Sequence, residues 1–393
     1  MNFTSRPRRG PAGRQAVIGA GLIVLLVASL AAVEGSMAHP RPLAQRWPAG
    51  PPVQPTVRPA AAAPGRVSDR AVAAGMRLLQ QAATAARQTS YQGVQVISWP
   101  APAGRGGWPG TGASTVTVDI WHRRGVGTVT RVTGPAGGTW SDVTDGPAGQ
   151  PADGMLGLTP ALIGLLGTHY AVLPDGTGSA CGRPARIVEV LRADGSVAAR
   201  FWLDRTTALP LRRELFDASA QVISDDGFDR LTLGSPAGAV SRSAAVRPWA
   251  DQLGPAQLAA LRAGGWPVPR LLPGDLTLFD ASQTATVTGH VVDLAYSDGL
   301  SVVSLFVQRG QLPAALPGWH ETGLDGNRLY VKDPGEPDLT WSAGGYVFTV
   351  VAAAAAATVA AAVNALPHQA EPGFWGRMKR GVSRLLSWLN PFG

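Results

Sequence analysis

Four things are scarce in this sequence, and each scarcity closes off a class of function. Cys181 is the only cysteine in 393 residues, so there is no intrachain disulfide framework and no zinc site built on cysteines. Lys332 and Lys379 are the only lysines, so the net charge of +8 is carried almost wholly by arginine. Those arginines are spread along both halves of the chain rather than gathered on one face. This suits solubility or attraction to an anionic membrane surface better than nucleic-acid binding. The six histidines, His39, His122, His169, His290, His320 and His368, never stand one helical turn apart or as a His-x-His pair, so no metal site is expected. There is also no G-x-S-x-G elbow, no P-loop and no G-x-G-x-x-G opening a helix. No catalytic residue and no cofactor is therefore assigned.

What is present is a chain of strands behind an export segment. Arg6, Arg8, Arg9 and Arg14 precede "AVIGAGLIVLLVASLAAV", residues 16–33, an uncharged apolar run with positive charge on its N-terminal side. The run fits either a signal-peptide core or a single spanning helix, and its length favours an uncleaved anchor. Residues 1–15 are then a basic cytoplasmic N-terminus, and the remainder is extracytoplasmic. Residues 34–65 are crowded with proline and alanine and form a tether.

From Ser68 a helical pattern begins, with Ser68 or Asp69 as its cap and Val72, Met76, Leu79, Ala83 and Ala86 at helical spacing. Alternating runs follow at 91–99, 114–122, 126–133, 186–193, 197–204, 209–217 and 221–233, which read as an antiparallel meander. A short apolar helix at 159–170 interrupts it. Within "SDDGFDR" the pair Asp226-Gly227 reads as a turn. Residues 235–247 are small and polar, a domain linker.

A second helix-and-strand region opens near Pro255. It closes with "GYVFTVVA" and the alanine-rich 352–366, read as a strand and a helix rather than a membrane span. Within it, "AYSDGLSVVSLFVQ" (295–308) places Asp298-Gly299 between two alternating runs, the signal for a two-residue hairpin with both central residues at positive φ. Asp298 and Gly299 are accordingly read as turn residues and not as chemistry. Residues 368–393 form a basic tail. On a helix, Phe374, Met378, Val382, Leu385 and Leu389 share one stripe, with Arg377, Arg380 and Arg384 on another side and Trp375 and Trp388 near the ends. Phe374, Trp375, Arg377, Lys379, Arg380, Arg384 and Trp388 are the candidates for contact with a membrane surface. Packing of the same stripe on protein is the alternative.

Several of these segments, taken in order, resemble the RseB/MucB family of exported regulators of extracytoplasmic-function sigma factors. The resemblance is carried by "ARQTSYQGVQVISW" (86–99), "RFWLDRTTALPLRRELFDASAQVISDDGFD" (200–229), "AYSDGLSVVSLFVQ" and "TWSAGGYVFTVVA" (340–352). It implies an α+β protein. Residues 66–234 would be a lipoprotein-carrier-like domain, a half-open antiparallel β-barrel with covering helices. Residues 248–367 would be a smaller α+β C-terminal domain that engages the extracytoplasmic part of an anti-sigma factor. The chain would then shield the anti-sigma factor from proteolysis until a lipid or acylated ligand binds the first domain. Trp121, Phe201, Trp202, Phe216 and Phe228 lie on meander strands and are the candidates to line that cavity, with core packing as the alternative for each. A membrane-tethered lipid or lipoprotein carrier without a signalling role is the competing function.

Overall fold

The computed structural model describes residues 68–99, 114–133, 139–144, 156, 158–234, 251–286, 289–313, 316–324, 327–332 and 339–368. The expected anchor (16–33), tether (34–65), linker (235–247) and the membrane-surface candidates from Phe374 to Trp388 lie outside the described residues. Among the described residues no helix is long and apolar enough to cross a membrane.

Helix α1 (Asp69–Gln88) starts where its cap requires: Ser68 accepts a hydrogen bond from the Ala71 amide at 3.2 Å. It buries Gly75, Leu79, Ala82, Ala83 and Ala86, mostly small residues, so its backbone lies close to what it covers. The meander follows as β1 (Tyr91–Trp99), β2 (Ser114–Arg123), β3 (Gly127–Thr133) and β4 (Thr139–Thr144). After α2 (Pro160–His169) it resumes with β5 (Ala171–Ala180), β6 (Arg183–Leu191), β7 (Val197–Asp204), β8 (Pro210–Phe216) and β9 (Val222–Leu233). All pair antiparallel in the order β4-β3-β2-β1-β9-β8-β7-β6-β5, an open sheet with β4 and β5 at its edges. Helix α1 packs on β5, β6 and β8 and against α2. At Gly75 a Cβ would stand 2.3 Å from the Val172 carbonyl oxygen, so that position of α1 has no room for a side chain over β5.

A second antiparallel sheet follows α3 (Pro255–Ala263), with β10 (Asp251–Gln252) just before it. Its strands are β11 (Leu271–Leu272), β12 (Leu276–Thr286), β13 (Gly289–Ser297), β14 (Val302–Arg309), β15 (Trp319–Leu324), β16 (Asn327–Lys332), β17 (Leu339–Ala343) and β18 (Tyr346–Ala353). The order is β10-β12-β13-β14-β18-β17-β16-β15, with β11 on β12. Strand alternation puts Val292, Leu294 and Tyr296 of β13 on one face with Leu305, Phe348 and Trp341. Helix α4 (Ala356–Asn364) closes that core with Val359, Ala362 and Val363, and Trp341 stacks on Phe348 and His368 at 5.3 and 5.1 Å.

Two expected turns turn out differently. Asp226 and Gly227 lie inside β9, because Arg213 on β8 pairs with Asp226 and holds the segment in the ladder. The loop around Asp298 runs over four residues, 298–301, since Ser297 pairs with Val302; only Gly299 has a positive φ, of 100°. The Asp298 side chain explains the wider turn, as its Oδ1 accepts from the amides of Leu300 and Ser301 at 2.8 and 2.7 Å.

Candidate functional site

The β13–β14 turn of the second sheet is pressed into the helices of the first, and this junction is the most chemically specific site in the described structure. It is built from both ends. Thr159 caps α2 by accepting from the Leu162 amide at 3.2 Å, Pro160 opens the helix, and Leu162, Ile163 and Leu166 are buried. The helix ends at Tyr170, whose amide donates to the Leu166 carbonyl at 2.9 Å, and the chain turns directly into β5. Tyr170 is thereby fixed at the rim of the first sheet.

From the other side come Ser297, Asp298, Gly299 and Leu300, all buried. Ser297 Oγ donates to the Ser301 carbonyl at 2.7 Å and accepts from the Gly299 amide at 2.8 Å. Asp298 divides its two oxygens: Oδ1 serves its own turn, while Oδ2 accepts from the Tyr170 hydroxyl at 2.6 Å, 128 residues away in sequence. Burial first, and then the adjacent Asp298 carboxylate, hold the Tyr170 phenol well above its usual range, so it stays a donor throughout the accessible pH range. A Cβ on Gly299 would fall 2.2 Å from the Leu166 amide nitrogen, and Leu300 joins the apolar cluster of Leu79, Leu166, Val172 and Phe201. The turn is thus a plug of one apolar residue and one hydrogen-bonded carboxylate.

The five candidate aromatics do not converge. Phe201 is 1% exposed and packs beneath α1 and α2, and Phe228 lies on the same inner face with Tyr91, Val118, Ile120 and Leu209. Trp121, Trp202 and Phe216 alternate to the outer face, away from the helices. Each sits under an arginine: Arg131 at 5.4 Å, Arg212 at 5.0 Å and Arg200 at 5.6 Å from the respective ring centres. That face carries cross-strand ion pairs, with Arg200 bonded to Glu189 at 2.8 Å and Arg212 gripping Asp225 through two bonds of 2.8 and 2.7 Å. On the inner face a buried pair, Arg213 with Asp226, is completed by the Ser224 hydroxyl at 2.7 Å from Asp226.

Among the described residues no three His, Cys, Asp or Glu side chains cluster as metal ligands. Asp298 was readable in the sequence only as a turn residue. Its partner Tyr170, and the roles of Leu166 and Leu300, carried no local signal, because the contact is made between segments with no shared pattern.

The model of the MucB/RseB N-terminal domain matches residues 148–248, which span α2 and β5 to β9. The resemblance to the RseB/MucB family is borne out there. No curated protein matches the chain. Among solved structures it is similar to MucB in complex with MucA(peri), at 22% identity, covering 76% of this chain and 100% of that chain, with a TM-score of 0.43. The MucA/MucB complex of Pseudomonas aeruginosa gives 22%, 76%, 99% and 0.42 for the same four measures. LprF from Mycobacterium bovis is 14% identical, over 44% of this chain and 98% of that chain, with a TM-score of 0.24.

Proposed function

We propose, with residues 148–248 assigned to the MucB/RseB N-terminal domain, that this chain is an extracytoplasmic regulator which binds an anti-sigma factor and controls its exposure to proteolysis. The family match is the observation that carries the reading. In this reading the first sheet is a half-open barrel of the lipoprotein-carrier type, and residues 248–367 form the smaller unit that holds the anti-sigma factor. Residues 235–247 link the two, and residues 16–33 keep the protein at the membrane. No residue is given a catalytic role.

The junction supports a way for the first unit to influence the second. Phe201 and Phe228 lie on the inner face under α1 and α2, at 1% and 5% exposure, so an acyl chain enters there only if the helices lift. Lifting α2 withdraws Leu166 from Gly299 and Tyr170 from Asp298. A lipid or acylated ligand that binds the lifted state better than the closed one shifts the population toward a loosened junction. The second unit then releases its partner.

Affinity capture of the tagged full chain from the cell envelope tests this function. Recovery of a single-pass anti-sigma factor is the expected result, and its release by an added acyl ligand tests the sensing step. Recovery of lipoproteins alone would favour the carrier.

A further inference from the structure

The outer side of α1 borders an open groove of about 640 Å³ on the first sheet's unit, walled by the β2–β3 turn and the β7–β8 turn. Along the helix Arg77, Gln81, Thr84 and Gln88 face it, three and four residues apart and all exposed; Arg124 and Thr207 come from the two turns. These α1 side chains take no part in burying the helix, whose core contacts are made by Leu79, Ala82, Ala83 and Ala86.

The charges in the groove are of one sign. Arg77 and Arg124 have no ion-pair partner among the described residues, and the lining contains no acidic side chain. Asp204, behind the β7–β8 wall, is 2% exposed and neutralised by Arg183 at 2.6 Å, with the amides of Thr206 and Thr207 on its other oxygen. It therefore takes little from the field in front of it.

The separation of the two arginines along the helix sets the length of an occupant that would run from one to the other. The Arg124 amide donates to Ser90 Oγ at 3.0 Å, which puts Arg124 beside the C-terminal end of α1. Arg77 is eleven residues before Gln88, roughly 17 Å along the axis at 1.5 Å per residue. An extended peptide advances about 3.3 Å per residue, so about five residues span the distance and bring acidic side chains to each end. Between the arginines the side-chain amides of Gln81 and Gln88 can donate to and accept from a peptide backbone, and the Thr84 hydroxyl, which donates to the Gln80 carbonyl, can accept.

We infer that this groove is a docking site for an extended acidic peptide segment, with Arg77 and Arg124 as its two charge anchors. The inference is independent of what the second sheet binds.

The test uses the full chain and two fluorescent peptides of equal length, one alternating glutamate with serine and one alternating glutamine with serine. The glutamate peptide binds at least about tenfold more tightly, and its affinity falls as salt rises. Arg77→Gln and Arg124→Gln each weaken it roughly threefold to fivefold, the range of one solvent-exposed charge pair. Both variants melt like the parent, since both side chains are exposed. Arg230→Gln, an exposed arginine on β9 outside the groove, leaves binding unchanged. Equal binding of the two peptides, parental affinity in both groove variants, or an equal loss in Arg230→Gln overturns the inference. So does a stronger, Arg77-dependent preference for phosphatidylglycerol vesicles, which would make the groove a lipid-headgroup site.

Discussion

Tyr170 and Asp298 join the two sheets through one short hydrogen bond, 2.6 Å from the phenolic oxygen to Oδ2. Because Oδ1 of the same carboxylate is already committed to the Leu300 and Ser301 amides, the Tyr170 contact is set by the conformation of the turn. Anything that reshapes either side is felt by the other.

Tyr170→Phe keeps the ring and deletes the donor. A lost hydrogen bond to a buried charged acceptor costs about 1.5–3 kcal/mol, and denaturant unfolding should show a loss of that size. Asp298→Asn should cost less, because its amide oxygen still accepts from Leu300 and Ser301 while the amide nitrogen can donate to Tyr170. If Tyr170→Phe unfolds like the parent, the two sheets do not depend on this bond in solution.

Gly299→Ala separates backbone strain from the clash with α2. Gly345 also has a positive φ, of 84°, but a Cβ there meets nothing within 4 Å. Gly345→Ala should cost about 1 kcal/mol for conformation alone. Gly299→Ala should cost roughly 3 kcal/mol or more, since its Cβ would overlap the Leu166 backbone. Equal melting temperatures for the two variants would contradict the close contact.

Arg213→Met leaves Asp226, 3% exposed, as a buried carboxylate with only the Ser224 hydroxyl for support. Removing one partner of a buried pair typically costs about 3–5 kcal/mol. The double variant Arg213→Met with Asp226→Leu should recover much of this, because no charge remains stranded. Unfolding of all three proteins by urea measures the difference. Equal losses in the single and double variants would show that Asp226 finds another partner.

Asp293 on β13 should make stability depend on pH. Burial, and then the neighbouring Asp280, push its carboxyl up to about 7, and its Oδ1 is shut away from solvent. In the unfolded chain such a group ionises near pH ~4. Between those values the folded protein keeps a proton that the unfolded chain gives up. Stability from this group is therefore full below pH ~4, declines as pH rises to about 7, and is level above it. Asp293→Asn should flatten that decline when both proteins are unfolded chemically across the range. A parent and variant with parallel pH profiles would exclude Asp293 as its source.

Local pattern carried much of the architecture. The Ser68 cap, the alternation of β1, β2 and β6 to β9, and the apolar stretch of α2 are all signals within a few residues of where they act. Strand β5, "AVLPDGTGSA", carries no strand pattern in the sequence, because Pro174, Asp175, Gly176 and Gly178 are turn formers; pairing with β6, with a register shift between Pro174 and Thr177, overrides them. Asp226-Gly227 misleads for a related reason, since Arg213 on the next strand decides its conformation. The junction was least legible of all. Asp298 announces a turn, but nothing near Tyr170 or Leu166 says that a turn will arrive there.

The unusual composition of β5 bears on what the protein does at high concentration. An edge strand with free amides and carbonyls is a template on which another chain can add a strand. At this edge, Pro174 has no amide to offer, the register shift interrupts the ladder, and residues 174–179 are exposed and polar. The same six residues that hid the strand from sequence reading make it a poor surface for self-association. Replacing them with a regular apolar run would complete the ladder and expose the protein to fibre-like aggregation.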